Sequence, residues 1–373
     1  MALKTALRYF PLIGRRHPAC PSLPERVQEI ADLACAAERQ DANTLHNASH
    51  ALNKAALLAS DNGLNGQAHR LCWQHIDLYR AAGHRLTTLQ GRYMLEPVVN
   101  LARLRIRARD SQAALRLLEA MHCALTTGTD LAIDDRVLPL AQLVGPGDQR
   151  NKLREWAWLQ LLSDGTRALT VAGRWTDAAA LAEAHHGIGA HLLEGRQAAI
   201  LAARLNENYV AARELLHAST PTQPWEHQVA SCLEVICSDS SHTASHKAVT
   251  TMIDIFRDNK PVAGYAFYRA RLGITVTALA QISAPSALPA LLRQVAAEAA
   301  ETGDGHAARI VLDHRIPGAR LHARQRRALH DLVTTSGLAS GPLPPTLREA
   351  FTNAIDTASR ALSASLRLEC SAG

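Results

Sequence analysis

The chain has 373 residues, long for a single globular core but ordinary for a stack of repeats. Aromatics make up 4% of it, and runs of Val, Ile or Thr alternating with polar residues are missing, so the composition is that of an all-α protein. The net charge of +6 is carried almost entirely by Arg, with Lys only at Lys4, Lys54, Lys152, Lys247 and Lys260. The basic residues do not cluster with stacking aromatics, and direct nucleic-acid binding is therefore not expected.

Residues 1–22 read as an irregular, Pro-punctuated segment whose apolar run is too short for a secretory signal. Ser22 then caps a helix reaching about Gln40, with Pro24 and Glu25 in its first turn. Helices over Thr44–Ser60 and Gly66–Ala82 form a pair across a DNGLNG turn, and Leu95–Ala108 with Ser111–Thr126 form a second. The stretch 127–150 reads as an irregular insertion, either a functional loop or the seat of a short helix. Lys152–Val171 and Thr176–His186 make a third pair, and Leu192–Leu205 with Tyr209–Ser219 a fourth. PTQPWEH opens a fifth pair, with Trp225 in the first turn as a candidate groove-end anchor, and helices near 263–281 and 286–302 form a sixth. Residues 303–373 read as capping helices, the last one carrying Arg348, Glu349, Asp356, Arg360 and Arg367 on a solvent face. The array itself spans 23–302, and nowhere does an apolar run reach the ~20 residues that span a bilayer.

The second helices share a pattern in which an alanine is followed four residues on by Cys72, Leu118, Ala182, Leu215, Met252 or Leu291, and seven on by His75, Met121, His185, Ala218, Ile255 or Gln294. It begins at Ala68, Ala114, Ala178, Ala211, Ala248 and Ala287, and the last three steps are 33, 37 and 39 residues. Repeats near 34 residues mark arrays of helix pairs, each burying its apolar face on the next. AGRWTDAAALAEAHHG and NENYVAARELLHAS carry the pattern best, and twelve residues before the alanines stand Ala56, Ala102, Thr166 and Ala199. In these features residues 45–300 resemble the tetratricopeptide (TPR-like) superfamily in a degenerate form. The ALNKAALLASDNG opening resembles actinobacterial TPR-like sensor proteins.

That resemblance implies a right-handed superhelix of antiparallel helix pairs and a concave groove lined by first helices. Carried over by position, the groove holds His50, Asn53 and Lys54 from the first pair and Glu96, Asn100 and Arg103 from the second. Gln160, Asp164 and Arg167 come from the third, and Arg196 and Gln197 from the fourth. Helical spacing independently groups Gln160, Ser163, Asp164, Arg167 and Thr170 on one polar stripe. Such amides and guanidiniums can hold a peptide backbone or carboxylate, and none of them is expected in the core.

Signatures of chemistry are sparse. His46 and His50 have the i, i+4 spacing of a metal pair, but no third ligand accompanies them, so no metal or other cofactor is expected. The seven cysteines lack a CxxC pair, and Cys35, Cys72 and Cys232 sit at apolar helical positions, as reduced buried thiols do. The expectation is a cytoplasmic, non-catalytic binding module for a peptide or protein partner. The alternatives are a sensor of a small molecule or signalling peptide, and an accessory enzyme of a specialised-metabolite pathway using a pocket closed by 127–150.

Overall fold

Helix caps and apolar stripes leave little of this chain for any other structure, and 71% of it is helical. The computed structural model describes residues 2–238 and 242–371. In order come α1 (Ala2–Leu7), α2 (Leu23–Glu38), α3 (Thr44–Asp61), α4 (Asn65–Arg80), α5 (Thr88–Arg107) and α6 (Ser111–Thr127). A hairpin of β1 (Leu131–Ile133) and β2 (Arg136–Leu138) follows, then α7 (Leu140–Leu143) and α8 (Asp148–Gln160). A π turn over Leu161–Gly165 joins α8 to α9 (Thr166–Val171). Next are α10 (Trp175–Ala184), α11 (Glu194–Leu205), α12 (Tyr209–His217), α13 (Pro224–Cys237) and α14 (His242–Asp258). The last are α15 (Ala266–Ala280), α16 (Leu288–Glu301), α17 (Gly305–Leu312), α18 (Ala323–Thr335) and α19 (Pro345–Ser371). No helix among the described residues is long and apolar enough to cross a membrane.

The chain divides into two units, each assembled from separated segments. One contains 23–168 and 337–373, the other 1–22 and 169–336; they are called here the α3–α6 unit and the α11–α18 unit. In the first, α3 packs on α2 and α4, α5 on α4 and α6, and α19 lies against α2 and α3. Phe351, Ala358, Leu362 and Leu366 bury one face of α19, while Arg348, Glu349, Asp356, Arg360 and Arg367 stay exposed. In the second, α11 packs on α10 and α12, α13 on α14, and α15 on α16 and α17.

Several boundaries differ from the sequence reading for identifiable reasons. Helix α5 starts at Thr88, seven residues before the expected Leu95, because Thr87 and Gln90 form a capping box; Pro97 then sits inside the helix. Residues 1–22 are not wholly irregular, since α1 precedes the extended part. The 127–150 insertion contains a hairpin as well as the short α7. Leu131 pairs with Leu138 and Ile133 with Arg136, while Asp134 takes a left-handed φ of 52° at the turn. Leu131, Ile133 and Leu138 are buried and Ala132 and Val137 exposed, a period-2 alternation too short to stand out in the sequence. Cys35 is exposed, whereas Cys72 and Cys232 are buried, and burial pushes both thiols up to about 12.

The alanine register holds in half of the repeats. Ala68, Ala114 and Ala178 are fully buried, but Ala211, Ala248 and Ala287 are only partly so, and Ala212, Val249 and Leu288 take the buried place. On the matching first helix, Ala198 is buried instead of Ala199. One residue rotates a helix face by about 100°. Ala178→Leu is accordingly expected to cost about 1–3 kcal/mol by overpacking. Ala211→Leu should change stability by less than about 0.5 kcal/mol. Guanidinium unfolding of the two variants checks this, and equal losses would refute the shifted register.

Candidate functional site

In the α3–α6 unit, four of the expected groove residues meet in one row of hydrogen bonds. Asn100 on α5 donates through Nδ2 to Asn53 Oδ1 on α3, and Arg103, one turn further along α5, donates through Nη1 to Asn100 Oδ1 at 3.3 Å. The same guanidinium reaches Asp164 Oδ2 through Nε at 3.0 Å and Nη2 at 2.9 Å. Asp164 stands in the π turn, a single-turn feature that recurs at functional sites, and is buried there. Its side chain is 5% exposed, while that of Arg103 is 40% exposed. Asn100 and Asp164 are therefore buried, against the expectation that none of these residues belongs to the core. Each is tolerated there because its polar atoms have partners.

Glu96 lies one turn before Asn100, and Arg92 Nε is 3.5 Å from its Oε1. Burial raises the Glu96 carboxyl, against the pull of Arg92 and Arg103. The His50 ring lies against that of His46, tilted by 34° with ring centroids 4.1 Å apart, and His46 Nδ1 is 2.8 Å from Tyr93 Oη. Burial, then the charges of His46, Lys54 and Arg92, hold His50 below its ordinary value. No group of three or more His, Cys, Asp or Glu among the described residues is placed to hold a metal ion. Gln160 is half-buried one turn before Asp164, and Arg167 is exposed beyond it.

Beyond His50, Glu96, Gln160 and Arg167, which flank the row, the other three expected residues take no part in it. Lys54 turns to α2, where its Nζ pairs with Glu29 Oε1 at 2.9 Å. Arg196 and Gln197 belong to the α11–α18 unit, and the one-residue register shift rotates both inward. Arg196 donates to Ser219 Oγ at 3.1 Å and to the Leu215 carbonyl at 2.7 Å. Gln197 is fully buried against the backbone of Leu12.

Sequence reasoning missed Asp61 and Arg107. Asp61 is gripped by Arg26 at 2.6 Å and by Arg107 at 3.0 Å, and Arg107 also bonds Ser60 Oγ. A void beside this end of the row, lined by Ala56, Ser60, Cys72, Asn100, Arg103 and Arg107, has about 10 Å³, room for at most one water. Asn53 and Arg103 are the partly exposed members of the row, while Asn100 and Asp164 lie beneath the surface. A cleft of about 730 Å³ lies elsewhere in this unit, between α4 and the hairpin. Arg136 covers Trp73 at 3.9 Å there and grips Asp77 at 2.7 and 2.8 Å, while Asp134 pairs with Arg105 and lies 3.5 Å from His69.

No family model matches the chain, and no curated protein matches it. A solved structure described as a circular tandem repeat protein with novel repeat topology and enhanced subunit contact surfaces is similar at 14% identity. The likeness covers 92% of this chain and 84% of that one, with a TM-score of 0.18, too low to bear on the site.

Proposed function

We propose that the chain is a non-catalytic binding module of TPR-like helix pairs that takes a peptide or protein partner along the Asn53–Asn100–Arg103–Asp164 row. The observation that carries this reading is Arg103, anchored by Asp164 and Asn100 yet 40% exposed at its side chain. A guanidinium has five N–H donors in a fixed fork, and one held in place loses little freedom when a carboxylate or peptide carbonyl arrives. Glu96 and His50 would extend the row for polar groups further along an extended ligand.

The test is a library of extended peptides with free carboxylates, selected on the full chain. Arg103→Lys keeps a cation beside Asp164 but loses the fork. It should weaken the selected peptide by about 1–3 kcal/mol while the melting temperature stays near wild type. Unchanged affinity would remove the row from consideration.

A second reading, a small-molecule sensor, draws on the cleft beside Trp73, whose volume of about 730 Å³ suits a drug-sized ligand. Quenching of Trp73 fluorescence by such a ligand, lost in Trp73→Phe, would favour it.

A further inference from the structure

In the α11–α18 unit, the extended residues after α1 lie across the first helices of successive pairs, held largely by their backbone. Gln197 on α11 accepts the Leu12 N–H through Oε1 at 2.8 Å and donates through Nε2 to the Leu12 carbonyl, also at 2.8 Å. Arg271 on α15 donates to the carbonyls of Tyr9 and Pro11. The His17 N–H reaches the Gly264 carbonyl at 2.9 Å, and the His17 ring stacks on Phe267 of α15 at 4.8 Å. Cys20 closes the run, donating its N–H to Asp304 Oδ2 at 3.1 Å and accepting from Gly305 N–H at 2.9 Å.

Side chains add selectivity to this clamp. Phe10 and Leu12 are buried, and Arg15 pairs with Glu194 at the start of α11. Gly14 lies so close to the Trp225 ring of α13 that a Cβ there would overlap it. A fully buried glutamine bonded to both main-chain groups of one residue is the way an amide side chain reads an extended strand regardless of sequence.

We propose that this face of α11, α13 and α15 is a peptide-binding site occupied in cis by residues 9–17, and that an extended peptide of the pattern aromatic–Pro–aliphatic–aliphatic–Gly–Arg competes for it in trans. The tether gives the cis segment an effective concentration in the millimolar range, so a competitor gains access chiefly when the segment is released. This site is independent of the Arg103 row, which belongs to the other unit.

The test uses the full chain with a specific protease site inserted between the exposed Arg16 and His17. After cleavage, a fluorescent synthetic copy of residues 2–16 is added to cut and uncut protein. The cut protein should stay folded, exchange its own segment for the labelled one, and bind it at least tenfold more tightly than uncut protein does. N-methylation of Leu12 in the peptide removes the N–H that Gln197 accepts, and Gly14→Val in the peptide strikes Trp225; each should weaken binding at least tenfold. Because these changes are in the peptide, they leave the fold of the protein untouched. Unfolding on cleavage would mark the segment as a permanent strut and overturn the proposal. So would failure to exchange, or equal binding of the modified peptides. Loss of this site would leave the Arg103→Lys result unaffected, so the two readings fail separately.

Discussion

Arg269→Met is expected to destabilise the α11–α18 unit by about 3–5 kcal/mol, the cost of stranding one member of a buried ion pair. Arg269 and Glu298 have side chains only 8% and 14% exposed, and they meet through two bonds, at 2.7 and 3.0 Å. The guanidinium also donates to the Phe256 carbonyl at 3.0 Å and lies 3.6 Å over the Phe256 ring. It therefore links the ends of α14, α15 and α16. Removing it takes from Glu298 the cation it faces in a poorly hydrated site, leaving the Gln294 amide at 2.9 Å. The double change Arg269→Met with Glu298→Leu should recover most of the loss, since an apolar pair of similar volume replaces the ions. Urea denaturation of both variants measures this. A single variant as stable as wild type would show that the pair contributes nothing.

Acid is expected to weaken the α3–α6 unit through His75. This residue, on α4 one turn after Cys72, is 1% exposed, and neither ring nitrogen has a hydrogen-bond partner. Burial, with a smaller contribution from His50, lowers its pKa from 6.5 to about 3. Below pH 6.5 the unfolded chain takes up a proton that the folded chain refuses until about pH 3. Stability is therefore complete above pH 6.5 and is lost as the pH falls, at about 1.4 kcal/mol per unit. Wild type should be about 3 kcal/mol less stable at pH 4 than at pH 7 from this group alone. His75→Leu, which removes both unpartnered ring nitrogens, should remove that slope and raise stability at every pH. Denaturation curves for wild type and variant at several pH values separate His75 from the carboxylates. Parallel pH profiles would refute the assignment.

The helices were legible because caps and apolar spacing act locally: Ser22, Thr44 and Asp110 stand where helices begin, and Gly128 takes the left-handed φ of 71° that ends α6. The register was less legible where alanines adjoin. Ala198–Ala199 and Ala211–Ala212 offer the small-residue position twice, and only the neighbouring helices decide which one is buried. The polar row was partly readable, since Asn53, Asn100, Arg103 and Asp164 recur at the expected places in their repeats. Their pairing across 47 and 61 residues was not, because no local signal encodes it. Nor does LLSDG announce the π turn in which Asp164 stands. Residues 8–20 looked irregular for a related reason. An extended segment clasped by distant side chains has no periodicity of its own, and the buried Phe-Pro-Leu run was its one clue.

The interleaving of the two units imposes an order on synthesis. Helices α2 and α3 are made early, but α19, which packs along both, follows only after residues 169–336 have emerged. At cellular elongation rates the wait from α3 to α19 is roughly 15–60 s, far longer than helix formation or collapse. Throughout it, the faces of α2 and α3 that α19 covers stay open to water and to other nascent chains. A polypeptide interrupted before Pro345 would carry this uncovered surface permanently, which makes early termination a route to aggregation and an obvious point of engagement for a chaperone on the ribosome.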